Sequence, residues 1–122
     1  LLDVDALGAP EVTFFVARVG GMALGCGALR ALDARSGELK RMYVAPEARG
    51  LGLGRAILEA IERHARALGL AELKLETGPA QPEALGLYRA AGFLPCAAFA
   101  GYRPDPLNLF MVKRLAAGAC SH

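Results

Sequence analysis

Near the middle of the 122-residue chain, a strand-like segment passes into a helix-like segment through Val44-Ala45-Pro46-Glu47-Ala48-Arg49-Gly50-Leu51-Gly52-Leu53-Gly54-Arg55. Glycines let a backbone approach a ligand closely and adopt positive φ. The first amides of a helix lack internal partners, and the helix dipole adds about half a positive charge there. Together with the flanking arginines, these features predict a site for a diphosphate group at the start of the helix.

Two familiar phosphate-binding loops fit this stretch poorly. A P-loop carries lysine and then serine or threonine after its last glycine, whereas Gly54 is followed by Arg55 and Ala56, which offer no hydroxyl for Mg²⁺. A dinucleotide-binding loop has its first glycine close behind the strand and an acidic residue about 20 positions later. Here residues 46–49 intervene, and Glu76 lies rather far from Gly50. Nucleotide hydrolysis is therefore disfavoured, and a small nucleotide-binding oxidoreductase domain is kept as a third hypothesis.

The pattern that remains is R-x-x-G-x-G behind a strand that ends in Val-x-Pro, and it resembles the main signature of the GNAT superfamily of N-acetyltransferases. Residues 38–46 resemble the strand that precedes this signature in the family. Residues 84–93, which read ALGLYRAAGF, resemble the family's second motif, A-x-x-x-Y-x-x-x-G-F. The matches run from about Val12 to Leu115 in the family's order, and two ordered motifs are more specific than either alone.

The resemblance implies an α/β (mixed α+β) fold, the GNAT acyl-CoA N-acyltransferase fold, with a central, mostly antiparallel, twisted sheet flanked by helices. Family members place a strand and one or two helices before the first hairpin. We expect this N-terminal part to be missing, with at most the end of a helix around residues 1–7. The chain opens without an initiator methionine or a signal peptide, which favours the same expectation.

Periodicity along the chain predicts an alternation of strands and helices. Strands are predicted at Val12–Val19, 22–32, 38–44, Glu72–Thr77, 93–100 and 107–115, with a glycine turn in the first hairpin. Helices are predicted over 51–68 and 82–91. The polar face of the first helix is predicted to carry Arg55, Glu59, Glu62, Arg63, His64 and Arg66.

Composition excludes several classes of protein. Hydrophobic residues make up 54% of the chain, which excludes disorder, and the uncharged residues 19–29 are too few to span a bilayer, which takes about 18 apolar residues. A net charge of +2 gives no footprint for nucleic acid. Cys26, Cys96 and Cys120 are an odd number of cysteines without pairwise or zinc spacing, so we expect no metal and a reducing, cytoplasmic location. The length predicts one domain, residues 1–122, with a frayed tail at 116–122.

The resemblance implies which residues hold coenzyme A. The signature loop would grip its diphosphate, and the strand before it would pair with the pantetheine arm, its main-chain amides around Tyr43 and Val44 acting as oxyanion donors. The predicted coenzyme-binding residues are Met42, Tyr43, Val44, Arg49, Gly50, Leu51, Gly52, Leu53, Gly54 and Arg55.

Two side chains are candidates for proton transfer. Tyrosine, with a pKa of about 10, can protonate a departing thiolate near neutral pH, and the second motif implies this role for Tyr88. Glu38 lies eleven residues before Arg49, similar to the base of histone-acetylating members. Ordered water is the alternative base, and Glu76 is a weaker candidate. The loop over 101–108, which contains Tyr102, lies where family members often shape the acceptor pocket.

The prediction is an N-acetyltransferase that moves an acetyl group from acetyl-CoA directly to a primary amine in a ternary complex. A covalent route through Cys26 or Cys96 is disfavoured, because neither lies beside a basic residue or a helix start. The alternative is a non-catalytic acyl-CoA-binding sensor or assembly module. The expected partner is a small-molecule or peptide amine, with neither nucleic acid nor membrane, and a homodimer is compatible with the resemblance.

Overall fold

The structure is a computed structural model that describes residues 2–8, 11–78, 82–104 and 107–115. The strands are β1 (Leu2–Gly8), β2 (Val12–Val19), β3 (Met22–Ala31), β4 (Ser36–Val44), β5 (Glu72–Thr77), β6 (Leu94–Cys96) and β7 (Leu109–Arg114). The helices are α1 (Leu53–Ala67) and α2 (Pro82–Ala90), and a 3₁₀ turn covers Pro46–Ala48. The predicted tail at 116–122, with Cys120, lies outside the described residues.

The described strands form one sheet in the order β1-β2-β3-β4-β5-β7-β6. β4 and β5 run parallel, and the other described pairs are antiparallel. The first predicted hairpin is confirmed, since Val19 pairs with Met22 across Gly20 and Gly21, whose φ angles are 58° and 83°. Two left-handed residues match the twist of a two-residue hairpin turn. The mixed α+β fold with a mostly antiparallel sheet is therefore confirmed.

Two predicted elements were wrong. Residues 2–8 form β1, not the end of a helix, and pair with β2 from Leu2↔Val19 to Gly8↔Thr13. Most side chains of β1 are exposed, so the edge of β2 determines its conformation through backbone hydrogen bonds. The strand predicted over 93–100 is limited to Leu94–Cys96, because the chain then leaves the sheet and buries Phe99 against Phe110.

The hydrophobic core lies between α1 and one face of the sheet. The buried side chains of α1 are Leu53, Ile57, Leu58, Ile61, Glu62 and Ala65. Two glycines of β3 let the helix approach: a Cβ at Gly25 would lie 3.0 Å from Ile57 Cδ1, and one at Gly27 would lie 2.9 Å from Ile57 Cγ2. Neither α1 nor α2 is long and apolar enough to cross a membrane.

The prediction that Glu62 faces solvent was wrong. Its residue is 7% exposed, and Nζ of Lys113 on β7 lies 2.9 Å and 3.0 Å from its two carboxylate oxygens. A guanidinium nitrogen of Arg66 lies 3.5 Å from Oε1. Helical periodicity places Glu62 at the margin of the polar face. The ion pair with Lys113, which lies 51 residues further along the chain, compensates for the burial of the carboxylate.

Candidate active site

β4 and β5 separate halfway along β4. Their pairing ends at Leu39↔Leu75, whereas β4 continues to Val44 and β5 to Thr77. On its other side β4 remains paired with β3, through Tyr43 with Cys26 and Val44 with Gly25. The backbone edge of β4 that faces β5 is therefore open from Lys40 to Val44, a length of about 13 Å at 3.3 Å per residue.

A β-bulge re-aims the open part of β4. The register shifts between Cys26 and Ala28, so that Arg41 and Met42 both lie opposite Gly27. Arg41 has a φ of 58°, in the left-handed region that bulges usually fill with glycine. A Cβ at Gly27 would lie 2.7 Å from Met42 Sδ, so any larger residue on the neighbouring strand would force the bulge or its packing to shift. This bulge was not predicted from the sequence, although a glycine inside a strand pattern is its usual signal.

The glycine loop presents exposed backbone at the start of α1. Gly50 and Gly52 have φ angles of 86° and 83°, and an added Cβ would meet no atom within 4 Å at either position. Gly52 is the N-cap of α1, and no side chain caps the helix. The first amides of a helix have no partners within it, so an anion seated at Gly52 would satisfy them.

Positive charge surrounds this loop. Arg55 lies in the first turn of α1, where there is no acidic residue, and its side chain is 79% exposed with Glu59 as an ion-pair partner at 3.7 Å. A cation near a helix N-terminus is unfavourable by itself, whereas a bound anion makes the same position favourable. Nε of Arg49 donates to the carbonyl of Val44 at 3.4 Å, which places this arginine at the junction of β4 and the loop. These residues fit a diphosphate group.

Gly54 has a different structural role from Gly50 and Gly52. A Cβ at Gly54 would lie 3.1 Å from Leu87 Cδ2, so this glycine lets α2 pack against the first turn of α1. This packing fixes α2, which carries Tyr88, next to the glycine loop.

Tyr88 lies in the core at 6% exposure, with its ring edge-to-face against Phe93 at 5.8 Å. Burial raises the pKa of Tyr88 to about 12, because the phenolate would be poorly solvated. The hydroxyl is therefore protonated throughout the neutral range and can act only as a neutral donor or acceptor there.

Glu38 is 2% exposed and both of its carboxylate oxygens have partners. Nε and Nη2 of Arg30 donate to Oε1 at 3.1 Å and 2.7 Å. The hydroxyl of Tyr102 donates to Oε2 at 2.9 Å, and Nζ of Lys40 lies 3.7 Å from the same oxygen. The carboxylate is thus enclosed, and an acceptor amine could reach it only by displacing Tyr102 or through the tyrosine hydroxyl.

The remaining candidates lie elsewhere. Glu76 accepts a short hydrogen bond from Asn108, and His64 is half-buried with its ring edge-to-face against Phe15. Burial raises the pKa of the Cys96 thiol, which disfavours the thiolate that a covalent route would need. Among the described residues, no group of three His, Cys, Asp or Glu side chains is arranged to hold a metal ion.

Comparison with known proteins gives a consistent set of relatives. Residues 2–93 match the acetyltransferase (GNAT) family. The chain is 50% identical over 117 residues to the IAA acetyltransferase of Azospirillum brasilense. The aligned residues make up 94% of this chain and 76% of that protein.

Solved structures agree with this match. An acyl-CoA N-acyltransferase from Klebsiella pneumoniae aligns at 41% identity with a TM-score of 0.86, covering 90% of this chain and 77% of that one. A GNAT family acetyltransferase from Elizabethkingia anophelis with acetyl-CoA bound shares the fold at 15% identity, with a TM-score of 0.79 over 93% of this chain and 98% of that one.

Proposed function

The chain belongs to the acetyltransferase (GNAT) family, and from that membership we propose how its own residues carry out the reaction. It is an N-acetyltransferase, which takes its acetyl group from acetyl-CoA. The proposal concerns which residues hold the co-substrate, which groups move protons, and what kind of acceptor receives the acetyl group. The observation that carries it is the open edge of β4 leading directly into the uncapped start of α1.

We propose that the diphosphate of coenzyme A is held by the backbone amides of residues 50–55. The free space at Gly50 and Gly52, together with the exposed cation of Arg55, supports this assignment. The pantetheine arm then lies along the open edge of β4, where the amides around Tyr43 and Val44 can hydrogen-bond with it. The same edge offers amides to the oxyanion that develops during acyl transfer.

We propose that Tyr88 donates the proton that the departing thiolate requires. Because burial raises the pKa of Tyr88 to about 12, its hydroxyl is in the protonated donor form at neutral pH and can hydrogen-bond to the sulfur as negative charge develops there. Its position on α2, packed onto α1 through Leu87, supports a place beside the co-substrate.

For removal of the acceptor's proton, we favour ordered water over direct attack by Glu38. A general base must come within hydrogen-bonding distance of the proton that it takes. Glu38 is enclosed by Arg30 and Tyr102, whereas β4 and β5 are unpaired beyond Leu39, so water can hydrogen-bond to the backbone of β4 there. Glu38 then acts on the structure of the site and does not take the proton itself.

We propose a primary amine on a small molecule or a peptide as the acceptor, with direct transfer in a ternary complex. Cys96 is a poor covalent carrier because its thiol pKa is raised. The free thiols of Cys26 and Cys96 support a reducing compartment, so a cytoplasmic location stays part of the proposal. We also propose a homodimer, and sedimentation equilibrium measures the oligomeric state directly.

The test has a binding step and a turnover step. Calorimetry with acetyl-CoA measures binding, and thiol release is then followed with spermidine, lysine, a tetrapeptide with a free α-amine, and IAA, the compound that names the Azospirillum brasilense relative. Binding with amine-dependent thiol release supports the enzyme. Binding without release for any amine favours the non-catalytic acyl-CoA module, and absence of acetyl-CoA binding refutes the proposed site.

A further inference from the structure

Two charged residues of β4 hold Tyr102 in place. Its hydroxyl donates to Oε2 of Glu38 at 2.9 Å and accepts from Nζ of Lys40 at 3.0 Å. Glu38 is in turn held by Arg30, whose Nη2 lies 2.7 Å from Oε1. We propose that this hydroxyl fixes residues 97–104, which follow β6 in the connection to β7, beside the active site, and that Tyr102 is a positioning residue for the acceptor. This role rests on the proposed function, because the protein has an acceptor only if it transfers the acetyl group to an amine.

The turn that delivers Tyr102 is tightly specified. The N–H of Tyr102 donates to the carbonyl of Phe99 at 2.9 Å, and the two residues between them, Ala100 and Gly101, have φ angles of 53° and 80°. An alanine in the left-handed region is strained by about 1 kcal/mol or more, and such strain persists only where the surroundings impose it. The imposed turn places the hydroxyl of Tyr102 against β4.

Aromatic packing supplies part of that constraint. The rings of Phe99 and Tyr102 meet at right angles with centroids 5.6 Å apart, and Phe99 meets Phe110 of β7 at 5.5 Å. Nζ of Lys40 also lies 5.7 Å from the centre of the Tyr102 ring. The rings attach the connection to the sheet, and the hydroxyl decides where along β4 it is attached.

The point of attachment is the mouth of the gap between β4 and β5. Lys40 is the first residue of β4 beyond the last pair, Leu39↔Leu75. The glycine loop begins at the other end of the open segment, after Val44. A co-substrate held by that loop would run along the open edge toward Lys40, so the connection that carries Tyr102 lies at the end where an acceptor must enter.

The chemistry of Glu38 makes the hydroxyl necessary. A buried carboxylate must have hydrogen-bond partners for both of its oxygens. Removing the hydroxyl leaves Oε2 with Lys40 at 3.7 Å, which is too long for a hydrogen bond. Lys40 or a water molecule must then move closer to hydrogen-bond with Oε2. The connection is no longer held at a fixed position on β4, although the ring of residue 102 still packs against Phe99.

The first test needs no ligand. In Tyr102→Phe, amide hydrogen exchange over residues 97–104 should accelerate at least tenfold, while exchange over α1 stays unchanged. Lys40→Met, which keeps the bond between Tyr102 and Glu38, should accelerate the same peptide by a smaller factor and provides the test if Tyr102→Phe folds poorly. Unchanged exchange over 97–104 in both variants would overturn the inference.

The second test uses whichever amine of the panel gives the fastest thiol release. Tyr102→Phe should raise KM for that amine at least fivefold, while kcat changes less than threefold and acetyl-CoA affinity less than twofold. Glu38→Gln should raise the same KM, and the double variant should fall short of the product of the two effects, since both remove one interaction. Glu11→Gln, an exposed glutamate on the connection before β2, is the matched control and should behave as wild type.

The outcomes separate this inference from the proposed function. A fall in kcat with a changed pH profile and an unchanged KM would place Tyr102 on the proton path and overturn the positioning role. Equal weakening of acetyl-CoA and amine would indicate a general structural role, which also overturns it. If wild type releases no thiol with any amine, the proposed function fails, while the exchange experiment still decides whether the hydroxyl fixes the connection.

Discussion

The hydroxyl of Tyr102 donates a hydrogen bond to Oε2 of Glu38 across 64 positions of sequence. This bond joins a loop near the end of the chain to the strand that leads into the glycine loop. It also encloses the residue that sequence resemblance offers as the catalytic base. Whether Glu38 can act as the base therefore depends on whether an acceptor amine can reach its carboxylate.

Glu38→Gln separates the two roles of this residue. A base that takes the proton directly contributes about 10²- to 10⁴-fold to the rate. If ordered water takes the proton, as we propose, kcat should fall less than tenfold between pH 7 and pH 9, while KM for the amine rises. Steady-state kinetics measure both constants, and a hundredfold loss of kcat with unchanged KM would restore Glu38 as the base.

Gly52→Val should weaken acetyl-CoA binding at least tenfold, which corresponds to about 1.4 kcal/mol. The substitution places a branched side chain in the open space at the N-cap of α1, where we propose that the diphosphate binds. Gly52→Ala is the closest control, because it also places a side chain at positive φ but is less strained and obstructs less. Calorimetry should rank the dissociation constants as wild type, alanine, valine, and equal constants for all three would contradict the diphosphate site.

Tyr88→Phe should lower kcat while leaving acetyl-CoA affinity unchanged. The substitution removes the hydroxyl but keeps the ring that packs on Phe93. We expect a loss of about tenfold in thiol release, less than the about 10²- to 10⁴-fold of a well-matched general acid, because a pKa of about 12 makes Tyr88 a weak acid. Unchanged kcat across neutral pH would show that the leaving thiolate takes its proton from another group.

The same substitution should alter stability at high pH. Because the pKa of Tyr88 is about 12 in the folded chain against 10.0 for free tyrosine, its contribution is fully present below pH 10 and is lost as pH rises toward 12. The loss amounts to about 2–3 kcal/mol at 1.36 kcal/mol per unit. Urea unfolding at pH 8 and pH 11 should therefore show a smaller decline for Tyr88→Phe than for wild type, and parallel declines would contradict the burial effect.

Lys113→Met should destabilise the fold by about 3 kcal/mol, since it leaves the Glu62 carboxylate buried without its main partner. Arg66 offers only a longer contact at 3.5 Å. The double variant Glu62→Leu with Lys113→Met should recover most of that loss, because two apolar side chains can pack where the ion pair lay. Chemical denaturation gives the free energies of unfolding of wild type, the single variant and the double variant. A double variant as unstable as Lys113→Met would show that side-chain packing, and not the ion pair, stabilises this region.

Two glycine substitutions should have opposite effects. Gly27→Ala forces a methyl group within 2.7 Å of Met42 and 2.9 Å of Ile57, so we expect a loss of about 1–3 kcal/mol and weaker acetyl-CoA binding through the displaced bulge. Gly86→Ala, with no atom within 4 Å on the exposed side of α2, should gain about 1 kcal/mol from helix propensity. Similar changes at both positions would show that β3 can move away from Met42.

Much of the fold follows from local patterns. The alternation in Val12–Val19, the glycine pair at 20–21 and the apolar stripe of α1 each report conformational preferences within a few residues, so the hairpin and the main helix were predictable. The glycine loop was predictable for the same reason, because positive φ and an uncapped helix start are properties of neighbouring residues. The family motifs then ordered these pieces.

Other features depended on partners far along the chain. β1 became a strand because β2 offered it an edge, and Glu62 became buried because Lys113 reached it from β7. The bulge at Arg41 required both Gly27 and the helix beneath it. The hydrophobic periodicity of a segment does not indicate any of these distant partners.

The sequence by itself thus determined where the glycine loop meets the start of α1 and which tyrosine lies in the second motif. Tertiary structure alone decided that the Tyr88 hydroxyl is buried and that Glu38 is enclosed by Arg30 and Tyr102. The physical reason is range: backbone preference acts over one turn or one strand, whereas desolvation and ion pairing depend on every group that folding brings within a few ångströms.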